Sequence, residues 1–70
     1  MDLIDILAQN LRSYRKENHL SQEDLAWESD LSVRGYAEIE RAEVQPSLST
    51  LDKLSRATGL SVPELLTPHD

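Results

Sequence analysis

The sequence contains no cysteine and no phenylalanine, and it has only two glycines, two histidines and one tryptophan. Without cysteine there is neither a disulfide framework nor a thiolate metal cage, and two histidines do not build a metal site alone. No run of about 18 apolar residues is present, so no segment is expected to span a membrane. No basic region leads into a long apolar stretch at the amino terminus, so no secretory signal is visible. These absences predict a soluble, intracellular protein without metal or cofactor.

Basic residues are also scarce, since seven Lys and Arg stand against 13 Asp and Glu, a formal net charge of −6. A nucleic-acid-binding domain typically carries a basic stripe, so composition alone argues against such a partner. The charge is unevenly distributed, however. Residues 11–20 are net positive through Arg12, Arg15 and Lys16, whereas residues 21–30 contain acids and no base. The sequence therefore predicts a small basic patch on an acidic body.

The 70 residues correspond in length to one domain. Most of them show the periodicity of α-helices. Apolar residues recur at three- and four-residue spacing from Leu3 to Tyr14, as on one face of a helix. Serines at the start of later patterns indicate helix caps, because a serine hydroxyl accepts a hydrogen bond from a free first-turn amide. Residues 67–70 are expected to form a frayed tail. The sequence predicts a compact all-α bundle of five helices: about 3–17, 22–29, 33–41, 48–58 closed by Gly59, and a short helix from Val62 through Leu66.

Two of these predicted helices are joined by a very short connection. Only Asp30, Leu31 and Ser32 separate the helix at 22–29 from the helix at 33–41. A turn of this length forces a steep crossing of the two helices, as in a helix-turn-helix. Leu31 is expected to fix the turn to the core. In such a pair the second helix enters the major groove of DNA with its N-terminal residues on the base edges.

The segment from Leu11 to Ala26, LRSYRKENHLSQEDLA, resembles the opening of the lambda-repressor-like, Cro-and-repressor helix-turn-helix domains. The resemblance covers about residues 7–66 through further fragments at matching spacings: Leu31-Ser32, Ile39-Glu40-Arg41, Gln45-Pro46-Ser47-Leu48 and Thr58-Gly59-Leu60-Ser61. Each fragment is weak alone, but the ordered set is specific. The resemblance implies a five-helix lambda-repressor-like domain over residues 1–70, with the helix-turn-helix unit at about 21–41.

The resemblance also implies roles for individual positions. Those that match base-reading positions are Val33, Arg34 and Glu38. Their chemistry is suitable, because arginine pairs with guanine O6 and N7, valine contacts a thymine methyl, and glutamate accepts from cytosine N4. Those that match phosphate-contacting positions are Gln22, Ser32, Arg41 and Ser47, the last together with the first amides of its helix. A partly buried ion pair between Arg15 and Glu40 is implied to join the first helix to the third.

The chain departs from the family pattern at several positions. The family usually has glycine where this chain has His19, Asp30 and Ala42. Aspartate is an acceptable turn residue, whereas His19 and Ala42 are expected to change the exits from the first and third helices. In the predicted helix at 33–41, the recognition helix, Gly35 has no side chain and the adjacent Tyr36 has a bulky one. These departures concern base recognition and DNA affinity rather than the fold.

Several residues have a structural interpretation beside the functional one. Arg34 and Glu38, four residues apart, would also pair with each other on a solvated helix face. Gln22 would also serve as an ordinary surface residue. Trp27 would either cover the edge of the core or anchor a partner, since tryptophan is enriched at binding hot spots. The leucines assigned to the core by default are Leu48, Leu51, Leu54, Leu65 and Leu66. The surface expected to contact a dimer or other partner comprises Trp27, Leu60, Val62, Leu65 and Leu66.

The sequence thus predicts a transcriptional regulator of repressor type that binds a palindromic operator in double-stranded DNA as a homodimer. No nucleophile–base pair and no glycine-rich phosphate loop is visible, so neither an enzyme nor a small-molecule substrate is expected. The resemblance implies a bacterial or phage protein that works in the cytoplasm on the nucleoid. The alternative is a protein-interaction module, antitoxin-like, with weak DNA binding on the same scaffold. The operator and the choice among repressor, activator, antitoxin and restriction–modification controller stay open.

Overall fold

The computed structural model describes residues 1–69, and every regular element in that part of the chain is an α-helix. The helices are α1 (Leu3–Glu17), α2 (Gln22–Glu28), α3 (Val33–Glu40), α4 (Leu48–Thr58) and α5 (Val62–Leu65). The predicted all-α fold of five helices is confirmed. Three helices end one residue earlier than predicted, because the residue after each has cap rather than helical torsions: Ser29, Arg41 and Leu66. Between residues 1 and 69 no helix combines the length and hydropathy needed to cross a bilayer.

Serine caps account for four of the five helix starts. Ser21, Ser32, Ser47 and Ser61 each accept a hydrogen bond from the backbone amide three residues further on, at 3.0–3.1 Å. These bonds satisfy first-turn amides that have no carbonyl partner within the helix. At its other end α4 is closed by Gly59, whose φ of 75° is the left-handed conformation that glycine adopts without strain.

Three residues other than glycine also adopt the left-handed conformation. His19, Asp30 and Ala42 have φ angles of 56°, 56° and 58°, and they follow α1, α2 and α3 in turn. The chain therefore leaves each helix through the backbone conformation that a glycine at that position would favour. The expectation that His19 and Ala42 change these exits is wrong. The conformation costs an L-residue roughly 1–2 kcal/mol, least for aspartate, whose short polar side chain tolerates it.

All five helices contribute to one buried apolar cluster. Its members are Leu7 and Leu11 of α1, Leu25 and Ala26 of α2, Tyr36 and Ile39 of α3, Leu51 and Leu54 of α4, and Leu65 of α5. The assignment of Leu48 to the core is wrong, because its side chain is 83% exposed. Leu3, on the predicted apolar face of α1, is 59% exposed, whereas Ile6 is buried. Both exposed leucines are the first residues of their helices.

One buried polar side chain attaches the end of α5 to α1. The Asn10 Nδ2 donates to the carbonyl oxygens of Leu65 at 2.8 Å and Thr67 at 2.9 Å. These carbonyls lie at a helix C-terminus, where no intrahelical amide is available to them. Thr67, expected in a frayed tail, is therefore held against α1, while Asp70 of that tail lies outside the described residues.

Candidate nucleic-acid interface

α2 and α3 are joined by the short turn that the sequence predicts. Asp30 reverses the chain direction through its left-handed conformation, and the amide of Leu31 donates to the carbonyl oxygen of Ala26 at 2.9 Å. The Leu31 side chain packs against the buried cluster, as predicted. The turn is thus fixed both by a backbone hydrogen bond and by an apolar contact, which sets how α3 crosses α2.

The three predicted base-reading residues lie on the first two turns of α3. Val33 and Arg34 are exposed, and Glu38 is half-buried one turn further along. Arg34 and Glu38 share a helix face because they are four residues apart. Within the part of the chain that the structure describes, they form no ion pair with each other. The pairing interpretation is therefore wrong, and both groups are accessible to a ligand.

Gly35 and Tyr36 have structural reasons that the sequence did not reveal. A Cβ atom at position 35 would lie 2.9 Å from the Oγ of Ser32, the hydroxyl that caps α3. Tyr36 is fully buried in the core, and this burial raises the pKa of its hydroxyl. Tyr36 thus belongs to the packing beneath α3 and Gly35 to the cap at its start, and an effect of either on base recognition stays a prediction.

The five helix N-termini differ in charge. α3 and α4 have no acidic residue in the first turn. Acids occupy the first turns of α1, α2 and α5, where they are Asp5, Glu23, Asp24 and Glu64. A helix N-terminus attracts anions through its free amides and its dipole, and an internal carboxylate competes for that place. In a chain of net charge −6, α3 and α4 are therefore the helices whose N-termini remain open to a phosphate.

At α4 the open N-terminus begins with Ser47, which the resemblance assigns to a phosphate. The Ser47 hydroxyl accepts from the amide of Thr50 at 3.1 Å and lies 3.1 Å from the Thr50 hydroxyl. In the described chain no side chain accepts from the amides of Leu48 and Ser49. These two amides form a donor set suited to one phosphate group, and the exposed Ser47 hydroxyl adds a third donor when its proton turns away from the Thr50 oxygen.

At α2, by contrast, a carboxylate already occupies the cap. The Asp24 carboxylate accepts a hydrogen bond from the Ser21 amide at 2.9 Å, which holds the pKa of Asp24 below its ordinary value. Gln22 lies against α3, where its Nε2 donates to the Oε1 of Glu40 at 3.1 Å. An amide nitrogen carries two N–H groups, so Gln22 keeps one donor for a phosphate.

Glu40, at the end of α3, is the centre of a polar network that joins α1, α2 and α3. Its side chain is 2% exposed and receives two hydrogen bonds from Arg15, at 2.8 Å from Nε and 2.5 Å from Nη2. Burial opposes ionisation of this carboxyl, but the hydrogen bonds from Arg15 and Gln22 outweigh it, so the pKa of Glu40 lies below its ordinary value. Arg15 also donates to the carbonyl oxygen of Leu20 at 3.0 Å.

Two more arginines lie near the end of α3. The sequence placed Arg12 in the basic patch but gave it no role in the fold, and its Nη1 donates to the backbone oxygen of Glu40 at 2.6 Å. The available signal was that Arg12 lies one turn before Arg15 on α1, so that both side chains reach the C-terminus of α3. The dipole of α3 favours a cation at that end. Arg41, assigned to a phosphate, forms an exposed pair with Glu43 at 3.0 Å. Exposed pairs contribute little, so a phosphate is able to replace Glu43 as the partner of Arg41.

The residues predicted for a dimer or partner surface are placed differently from one another. Leu65 is fully buried beneath α5, so its assignment to a surface is wrong. Leu60, Val62 and Leu66 are half-buried and pack against the core. Trp27 projects from α2 with 74% of its side chain exposed, which excludes the core-edge interpretation.

Comparison with known proteins agrees with this geometry. A family model described as helix-turn-helix matches residues 11–65. The chain is 51% identical over 67 residues to control protein C.SmaI of Serratia marcescens, a match that covers 96% of this chain and 80% of that protein. It is 36% identical over 62 residues to control protein C.BamHI of Bacillus amyloliquefaciens, covering 87% and 76%. The solved structure of a hypothetical transcription factor, NHTF, from Neisseria superposes with a TM-score of 0.89 at 34% identity, over 96% of this chain and 77% of that one.

Proposed function

The chain belongs to the helix-turn-helix family of DNA-binding transcriptional regulators, and we propose that it binds a palindromic operator as a homodimer of repressor type. Residues 1–70 act as one DNA-binding domain with a binding rather than a catalytic role. The protein works in the cytoplasm, on the nucleoid. Helix-turn-helix dimers bind half-sites about one helical turn apart, so the operator is an inverted repeat with that spacing.

Specific recognition is assigned to the exposed face of α3. Arg34 donates to guanine O6 and N7, the most frequent specific contact in the major groove. Val33 packs against a thymine methyl, and Glu38 accepts from a cytosine N4. The exposure of Arg34 and its separation from Glu38 support this assignment, because neither group is committed to another side chain in the described part of the chain.

The observation that carries the proposal is the absence of acids from the first turns of α3 and α4. An acidic protein binds phosphate groups most favourably where its own carboxylates are absent, and these two N-termini meet that condition. Ser32 and Ser47 and the amides that follow them bind phosphates on either side of the groove. Gln22 and Arg41 add one side-chain contact each.

The test is a selection from a pool of randomised duplexes by the purified chain at about 100 mM salt, since affinity without a stated salt concentration is uninterpretable. The expected result is an enriched inverted repeat. The variant Ser13→Ala is the matched control, because Ser13 is exposed on α1 and has no role in the proposed contacts. It should enrich the same sequence. Folded protein that enriches no sequence would contradict the proposal.

A further inference from the structure

Tyr36, on α3, has a buried hydroxyl group that the proposed DNA contacts do not use. Its side chain is fully buried, and within residues 1–69 its hydroxyl oxygen forms no hydrogen bond. A buried polar group without a partner costs free energy. Nearly all such groups in native proteins are paired, so an unpaired one indicates a strained or a functional position.

The Tyr36 hydroxyl lies beside the polar network of Glu40. The two residues are four apart on α3, so they share a face of the helix, and both side chains are buried. Burial and the Glu40 carboxylate raise the pKa of the hydroxyl, while the nearby guanidinium of Arg15 opposes the rise. Tyr36 therefore keeps its proton and is a hydrogen-bond donor next to a buried anion.

The Oε1 atom of Glu40 has no acceptor site left for this donor. It accepts from Nη2 of Arg15 at 2.5 Å and from Nε2 of Gln22 at 3.1 Å, and a carboxylate oxygen has about two lone-pair sites. Arg15 is held by further bonds, to Oε2 of Glu40 at 2.8 Å and to the Leu20 carbonyl at 3.0 Å. Gln22 is half-buried and makes the longest of these bonds to the carboxylate, so it is the donor most easily released.

We propose that Tyr36 replaces Gln22 as a donor to Glu40 when Gln22 binds a DNA phosphate. The inference rests on the proposed function, which assigns Gln22 to a phosphate, and it adds Tyr36 as a positioning residue for that contact. A phosphate is a charged acceptor, so it competes with the carboxylate for the Gln22 amide. Release of Gln22 opens one site on Oε1, and the Tyr36 hydroxyl fills it.

This exchange explains why the core keeps an unpaired hydroxyl. In the free protein the Tyr36 hydroxyl has no partner, whereas in the DNA complex it donates to a carboxylate, a stronger bond than one between neutral groups. Binding thus gains a buried hydrogen bond that the free protein lacks. Tyr36 therefore increases DNA affinity while it lowers the stability of the free protein.

The first test measures urea denaturation of Tyr36→Phe in two backgrounds, without DNA. In the wild-type background the variant loses only an unpaired hydroxyl, so its urea midpoint should be equal to or higher than that of the wild type. In the Gln22→Ala background the Oε1 of Glu40 is already open to the hydroxyl. Tyr36→Phe should lower the midpoint there, because it removes a hydrogen bond.

Tyr14→Phe is the matched control for this comparison. It also removes one phenolic hydroxyl, and Tyr14 is half-buried on α1, where it packs against the core. In the described chain its hydroxyl takes no part in the network around Glu40. Tyr14→Phe should therefore change the urea midpoint by the same amount with and without Gln22.

The second test titrates the operator obtained from the duplex selection. Tyr36→Phe should raise the Kd about tenfold, equivalent to about 1.4 kcal/mol, although the free variant is no less stable. The enriched motif should stay the same, because the affected contact is with a phosphate. In the Gln22→Ala background Tyr36→Phe should leave the Kd unchanged, since the hydroxyl is then bonded with and without DNA.

Two results would overturn the inference. One is an effect of Tyr36→Phe on the urea midpoint that is equal in the two backgrounds, and the other is an unchanged Kd when Gln22 is present. A folded wild-type chain that selects no sequence contradicts the proposed function instead. The urea comparison needs no DNA, so it still shows whether Tyr36 and Gln22 compete for Glu40.

Discussion

The Nε2 of Gln22, at the start of α2, donates to the Oε1 of Glu40, at the end of α3, over 3.1 Å. Because Arg15 of α1 binds the same carboxylate, one buried anion joins three helices. A residue assigned to a phosphate is thereby positioned by the residue that closes the recognition helix. Loss of Glu40 should consequently affect stability and DNA binding together.

The substitution Glu40→Gln should lower the free energy of unfolding by about 3 kcal/mol, the lower end of the cost of breaking a buried ion pair. Glutamine keeps the shape of the side chain but leaves Arg15, which is 18% exposed, without a counter-charge. Urea denaturation at neutral pH measures the change. A variant as stable as the wild type would show that the pair contributes nothing to the fold.

The same pair predicts a pH dependence. The pKa of folded Glu40 is lowered, so its stabilisation is fully present above the unfolded pKa of about 4.3 and is lost as pH falls through the folded pKa. The stability difference between wild type and Glu40→Gln should shrink when denaturation is repeated at acidic pH. If the difference is the same at acidic and neutral pH, ionisation of Glu40 is not its source.

The substitution Arg34→Ala should relax base preference at one position of each half-site, at a cost of about 1–3 kcal/mol. Arg41→Ala is the comparison, because loss of a phosphate contact weakens binding to all sequences and lowers the salt slope by about one. Duplex selection and binding titrations distinguish the two variants. Arg34 is not a base reader if its loss changes neither the selected motif nor the affinity.

An acid placed in the first turn of α4 should have opposite effects on stability and binding. Ser49→Asp should stabilise the fold by about 0.3–1 kcal/mol through the helix dipole, while its carboxylate excludes the phosphate from the same amides. Ser13→Asp on α1 makes the same charge change at another exposed position. Equal operator affinity for the two variants would show that the α4 N-terminus holds no phosphate.

The substitution Asn10→Ala should destabilise the fold by about 1–3 kcal/mol, because two carbonyl groups at the end of α5 lose their donor. Hydrogen exchange should show faster exchange in α5 than in α2 and α3. Asn18→Ala is the control, since Asn18 makes a similar bond to the Tyr14 carbonyl at an exposed site. Similar losses in both variants would contradict a special role for Asn10.

The substitution Ala42→Gly should stabilise the fold by up to about 1 kcal/mol. Glycine removes the left-handed strain of roughly 1–2 kcal/mol, while its own entropic cost is about 0.5–1 kcal/mol. Ala57→Gly, within α4, should instead destabilise by about 1 kcal/mol. Thermal denaturation measures both changes, and a loss of stability in both would show that Ala42 is not strained.

Much of the fold is predictable because its signals are local. Each of the caps at Ser21, Ser32, Ser47 and Ser61 acts on an amide three residues away, so a short window of sequence contains the whole interaction. Asn10 is different, because its partner Leu65 is 55 residues away. The available signal in the sequence was that Asn10, a polar residue, occupies a position of α1 where the periodicity predicts an apolar one.

The candidate site was only partly predictable. Periodicity shows that Arg34 and Glu38 share a face of α3, but their assignment to bases comes from the family resemblance. The exposure of Leu48 depends on which helices flank it, and no pattern within α4 contains that information. The acidic residues near each helix start are visible in the sequence. Whether an acid lies within the first turn, where it would compete with a phosphate, is known only when the helix bounds are known.

The acid-free starts of α3 and α4, if they hold phosphates as proposed, have a consequence for the search of a genome. Non-specific binding depends on cation–phosphate contacts that form anywhere along a duplex, and this chain has only seven Lys and Arg. Backbone amides, by contrast, hold phosphates only when the helices are in register with the grooves. Decoy sequences should therefore retain few molecules. Because operator occupancy depends on the ratio of specific to non-specific affinity, the proposed contacts should favour the operator over decoy sequences.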